Sequence, residues 1–246
     1  MRRPTRAQLL RRRSLAAALL VVVATTFALG LWARDSDSPS APSATAETTA
    51  VPWATTEAPA AETTAPPTTR STGVFVPDAS PPGPVVGEGP LRTYRVEVEE
   101  GVGIPIEEFT AEVERILSDP RGWTSADGIS LQRVTGPEAE MTITLATPST
   151  VDLLCYPLDT DGDVSCAQEG RAIINGKRWM EGAAPSELPL GSYREYLVSH
   201  ELGHVLGHHH EPCPGPGVLA PVMVQQTLGI APCAPNPWPA PDALTG

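Results

Sequence analysis

The chain has 246 residues, 28 of them proline, and a formal net charge of −12. With aromatic residues at only 5%, that proline content argues against one globule filling the whole length. The first 34 residues hold seven arginines and no acid, so the remaining ten basic residues face 29 acids and residues 35–246 carry −19. A surface of that sign speaks against nucleic acid and against charge-driven docking on anionic lipid.

Residues 1–34 read as a basic tail and an export element. Arginines up to Arg13 precede an uncharged apolar run over 15–32, long enough to span a bilayer as a helix. The basic flank predicts a cytoplasmic N-terminus with everything after Arg34 outside. A single-pass signal-anchor is the preferred reading. A cleaved signal peptide with a small-x-small site at Ala28-Leu29-Gly30, which would make the protein secreted, is the alternative. Residues 35–90 are Ala, Thr, Ser and Pro with scattered acids and no apolar period, and they read as a disordered tether. The apolar islands Val74-Phe75-Val76 and Val85-Val86 are the only segments there suited to docking on a domain.

Residues 91–246 form the expected folded domain. Tyr94, Val96 and Val98 alternate with charged residues, which predicts a half-buried strand. Ile106, Phe109, Val113, Ile116 and Leu117 repeat at helical spacing behind Pro105, and Asp119-Pro120-Arg121-Gly122 stops that helix. Strands are expected over 129–134 and 141–146. Segments 171–174 and 177–180 flank Asn175-Gly176, a hairpin signal, and could offer an edge strand to an extended peptide. Ser192 and Glu195 suggest a capping box opening a helix at Tyr193. The order predicts an α+β layer fold. Cys155, Cys166, Cys213 and Cys233 allow three pairings; proximity favours Cys155–Cys166 and Cys213–Cys233. Asp159, Asp161 and Asp163 surround Gly162 one position too early for an EF-hand and read as a solvated turn. Trp179, Trp238, Tyr193 and Tyr196 are expected chiefly to pack, although either Tyr193 or Tyr196 could line a cleft.

His200-Glu201-Leu202-Gly203-His204 carries the chemistry. Two histidines four apart share one helical face and can reach one metal, with Glu201 beside them to act on a metal-bound water. His208 lies on the same face but about 12 Å from His200 along the axis, too far for bonds of about 2.0–2.1 Å to one zinc. The chain must therefore turn after His204. Gly207 tolerates the left-handed backbone of a helix end, and a turn there swings His210 back, leaving His208 beside the site or in solvent.

The run His200-Glu201-x-x-His204-x-x-Gly207-x-x-His210 resembles the zinc signature of the metzincin metallopeptidases. Met223, in Ala220-Pro221-Val222-Met223, suits their methionine turn. The resemblance covers residues 200–223. It implies a twisted mixed sheet packed on an N-terminal helix and a metal-binding active-site helix. It also implies one catalytic Zn2+ on His200, His204 and His210, with Glu201 as general base and acid. Two features depart from the pattern. Gln225 stands where some metzincins carry a tyrosine, so any oxyanion contact would come from its amide. The segment 224–230 is short and followed by prolines, where a long C-terminal helix usually stands. Arg178-Trp179, Tyr193-Arg194, Cys213-Pro214-Gly215, Gln225-Gln226-Thr227 and Asn236-Pro237-Trp238-Pro239 look like an uncharacterised family of exported actinobacterial proteins, which implies no substrate. The expected activity is extracytoplasmic peptide-bond hydrolysis by a monomer acting on protein or peptide and tethered to the membrane. A non-catalytic zinc-containing binding module, with His208 or Glu211 as a fourth ligand, is the alternative. Amide hydrolysis in cell-wall peptide would share the chemistry.

Overall fold

The structure, a computed structural model, describes residues 70–243. The basic tail, the apolar run and most of the Pro/Thr segment lie outside the described residues. Among the described residues no helix is long and apolar enough to cross a membrane.

Seven strands form one mixed sheet: β1 (Phe75–Pro77), β2 (Val86–Gly87), β3 (Leu91–Glu99), β4 (Ser130–Arg133), β5 (Met141–Ala146), β6 (Cys166–Gln168) and β7 (Arg171–Asn175). Their order is β2-β4-β3-β5-β7-β6, and β1 pairs with β3 beyond the end of β4. The strands β4, β3, β5 and β7 run parallel, while β1, β2 and β6 are antiparallel to their neighbours. Five helices pack on it: α1 (Ile106–Leu117), α2 (Trp123–Ala126), α3 (Pro148–Cys155), α4 (Gly176–Glu181) and α5 (Leu190–Leu206).

Alternation along the strands sorts the two faces. Val96, Ile143, Leu145 and Ile174 meet Phe109 and Val113 of α1 and Leu197 and Leu202 of α5 in the main core. Each such side chain contributes about 1.5–3 kcal/mol on burial. Ile173 faces the other way, against Val151 and Cys155 of α3. Glu97 shares that second face, held by Thr144 Oγ1 and the guanidinium of Arg171. β3 is therefore covered on both faces where alternation suggested one.

Four expectations change. The tether does not run to residue 90: β1 and β2 belong to the sheet, and Arg133, buried, binds Asp78, Ser80 and Pro81 across that boundary. Asn175-Gly176 is no hairpin turn. Asn175 Oδ1 accepts from Lys177 N at 3.0 Å and caps α4, so Trp179 enters the core edge-on to Phe109. Consequently β7 lies inside the sheet, and the edge strand is β6. Helix α5 starts at Leu190 after Pro189 without a side-chain cap; Ser192 lies inside it and Glu195 reaches Arg115 on α1. Residues 224–230 contain no helix.

Both disulfides join as proximity suggested, Cys155 to Cys166 and Cys213 to Cys233. The second closes a loop around Met223. Gln226 and Asn236, both buried, stitch that loop by reciprocal amide–backbone bonds at 2.7 and 3.1 Å.

Candidate metal centre

Helix α5 carries His200 and His204 one turn apart and then stops. Gly207 adopts φ 103°, and His208 N donates to Gly203 O while Gly207 N donates to His204 O. This left-handed exit suits glycine, which has no Cβ to clash. It returns the chain so that ligand atoms of His200, His204 and His210 lie within 4.8 Å of one another. His209 is exposed.

Two of the imidazoles are oriented by backbone. His200 Nδ1 lies 2.8 Å from Val222 O, and His204 Nδ1 lies 2.9 Å from His208 O. A carbonyl only accepts, so each Nδ1 carries the proton and each Nε2 presents its lone pair inward. His204 Nε2 and His210 Nε2 are 3.0 Å apart. Two bonds of about 2.0–2.1 Å at a tetrahedral angle would separate them by about 3.3–3.4 Å, so the donor set fits a metal ion with little movement. Burial pushes His200 down to about 3, against the help of the Val222 carbonyl. Burial also lowers His210, with the nearby His204 and His209 adding to it. Both are thereby held neutral, the form that binds metal.

The family model described as "Protein of unknown function (DUF3152)" matches residues 63–241. The chain belongs to that family. No curated protein and no solved structure matches it. The matched span begins before β1, consistent with a DUF3152 domain that includes the two strands before residue 91.

In this DUF3152 domain the floor of the site is nonlocal. Met223 is buried beneath α5, where a Cβ on Gly203 would come 2.6 Å from Met223 Sδ and 2.6 Å from Trp123 Cζ2. Gly203 is thus the residue that lets methionine and tryptophan approach the helix. Trp123 Nε1 donates to Ser199 O at 2.8 Å. Sequence reasoning missed the role of both: Trp123 lies far away along the chain, and Gly203, although part of the run His200-Glu201-Leu202-Gly203-His204, shows its purpose only through the contact.

Glu201 is buried next to His200, and burial alone pushes its carboxyl up to about 8. A cation on the adjacent imidazoles would favour the charged form and draw it down again. Glu201 and the three histidines line an open cleft of about 340 Å³. The opposite wall is the edge strand β6, through Cys166 and Ala167, with Val164 and Ser165 before it. That wall is pinned from behind. Buried Asn175 donates Nδ2 to Gly162 O at 3.0 Å and to Val164 O at 3.4 Å, and Asp152 accepts from Gly162 N and from Thr160. Asp163 pairs with Lys177 and Arg178, so the three-aspartate segment is a clamped turn.

The remaining candidates divide. Gln225 is exposed and lines the cleft, as does Tyr196. Tyr196 Oη donates to Val224 O and accepts from Gln226 N, which places it in the scaffold of the methionine loop. Tyr193 is buried, bonded to Thr227 Oγ1 and away from the cleft lining, so its role is packing. Trp179 and Trp238 are core residues. His208 does not join the ligand cluster. It stacks on Trp123 at 4.3 Å and places Nε2 2.9 Å from Asp127 Oδ2.

Proposed function

We propose that this domain is an extracytoplasmic zinc peptidase of metzincin type. The observation that carries the reading is the convergence of three imidazoles, two with Nδ1 locked on carbonyls, beside the buried Glu201 at the mouth of an open cleft. Among the described residues no fourth side chain joins the cluster, and an open coordination position is the mark of catalytic zinc. His208 turns to Asp127 and Glu211 stands outside the cluster, which supports the open reading over a closed structural site.

His200, His204 and His210 would hold the ion. Zinc bound there would supply Lewis acidity to a peptide carbonyl and to a water. Glu201 takes a proton from the attacking water on a carboxylate oxygen and gives it to the leaving amine. The unpaired edge of β6 takes the substrate as an added strand, in extended form, along the wall of the cleft. The Gln225 amide is positioned on the rim to donate to the developing oxyanion. The apolar segment before Arg34 tethers the domain to the outer face of the membrane, or is removed on secretion.

The test uses the full-length chain purified in detergent. The wild type should carry one zinc and cleave members of a peptide library. Glu201→Ala should retain the zinc and lose at least about 100-fold in cleavage rate, the smaller end of general acid–base contributions. Equal cleavage by the variant would sink the mechanism. Including cross-linked cell-wall peptide among the substrates separates proteolysis from wall hydrolysis.

A further inference from the structure

The Nδ1 of His204 is held by a single carbonyl, that of His208. His208 follows the left-handed Gly207 and precedes an irregular loop, so no helix or strand ladder fixes the peptide beyond it. One backbone bond, His208 N to Gly203 O at 2.9 Å, holds its amide. Three residues on, Glu211 N donates to Met223 O at 3.1 Å, and the restraint on His208 itself is completed through its side chain. The imidazole lies on the Trp123 ring, 4.3 Å between centroids and 24° between planes, and its Nε2–H donates to Asp127 Oδ2 at 2.9 Å. Asp127 is itself firm: it caps α2, with its amide bonded to Trp123 O at 2.9 Å, and Trp123 is bolted to α5 through Ser199 O. The turn 123–127 therefore grips α5 and the chain leaving it.

We propose that Asp127 is a positioning residue for the metal centre. It anchors His208, whose carbonyl fixes the tautomer and ring plane of His204. The inference rests on the reading of His200, His204 and His210 as metal ligands. The partner of His200 is Val222 O, in the methionine loop, so the two braces are separate and loss of Asp127 touches one ligand. Partners that orient a ligating histidine typically contribute 10–100-fold in metal affinity. Asp127 acts one contact further out, so the lower end applies.

The experiment measures zinc affinity of the full-length chain by competition with a chromophoric chelator, together with the visible spectrum of the Co2+-loaded protein. Asp127→Ala should weaken zinc binding about tenfold and alter the cobalt spectrum. Asp127→Asn, which still accepts from His208, should lose less. His208→Phe keeps the stacking on Trp123 but not the bond to Asp127, and should match Asp127→Ala. The double variant should be no weaker than either, because both remove one link. A merely structural role would instead lower the thermal midpoint of the metal-free protein and leave zinc affinity and the cobalt bands unchanged, which overturns the proposal. Additive losses in the double variant overturn it as well. Wild type that binds neither ion removes the metal reading and this inference together; wild type that binds both while Asp127→Ala binds equally well removes this inference alone.

Discussion

Gly203 shows how much one missing methyl decides at this site. It sits between Glu201 and His204 on α5, with Met223 and Trp123 pressed against its backbone. An alanine in a helix is ordinarily better than glycine by about 1 kcal/mol. Here the added Cβ would meet sulfur and an indole carbon at 2.6 Å, and overpacking of that kind costs about 1–3 kcal/mol. The methionine can shift; the indole, bonded to Ser199 O, resists. Gly203→Ala is therefore expected to lower stability by about 1 kcal/mol, read as a lower urea midpoint, and to weaken zinc binding by displacing the helix from its floor. A variant more stable than the parent would mean that propensity wins and the contact is loose. The ligands themselves could be read from sequence because their geometry is local: a four-residue helical spacing, a glycine able to end the helix and a third histidine within reach. Gly203, Trp123 and Asp127 could not, because their roles come from contacts between segments far apart in the chain.

At the scale of elements the same divide recurs. Helix α1 was legible because five apolar residues keep one period and a proline opens it. The strands β3 and β5 were legible because alternation and β-branched content agree. The segment 171–181 was misread because Asn-Gly serves two geometries equally well: a hairpin turn, or an N-cap followed by a helix. What decides is Trp179, which needs helical backbone to reach Phe109. The strands β1 and β2 were missed because three and two residues carry too little pattern to stand out from a proline-rich tether. Asn175 thus does more than end a strand. It caps α4 and holds the carbonyls of Gly162 and Val164, behind the wall of the cleft. Asn175→Ala should cost about 1–2 kcal/mol, a lost cap plus partly buried carbonyls left without their donors. Asn175→Asp keeps the cap acceptor but not the donors. If the wall matters to catalysis, both variants lose peptide cleavage while only the alanine loses the cap. Thermal unfolding and cleavage rates measured side by side distinguish the two contributions, and unchanged cleavage in both would detach the wall from function.

For the whole molecule, the N-terminal end of the described residues is fastened by one carboxylate as well as by β1 and β2. Glu99, fully buried at the end of β3, accepts from Thr72 N and Gly73 N at 2.8 Å on one oxygen and from Thr147 N at 2.7 Å on the other, and from the Thr147 and Thr150 hydroxyls. Burial alone would raise its pKa; the bonds from Gly73, Thr147, Thr150 and Thr72 outweigh it and hold the carboxyl below the usual range. A lowered folded-state pKa has a definite sign. The charged form is favoured by folding, so its stabilisation is complete above the ordinary carboxylate pKa and is lost as pH falls through the lowered value. Glu99→Gln removes the charge and turns one acceptor into a donor facing donors, which costs about 3 kcal/mol at neutral pH. The difference in urea midpoint between wild type and variant should be largest at pH 7 and shrink as both are taken to strongly acidic pH. Because Thr72 and Gly73 lie beside β1, the variant should also release this segment, and trypsin should cut after Arg70 faster than in the wild type. A pH-independent gap between the two proteins, or equal cutting, would show that this segment is held by the pairing of β1 with β3 instead. In that case the domain would keep its N-terminal strand through acidification, and the carboxylate would be a local bond of the β3–β5 end.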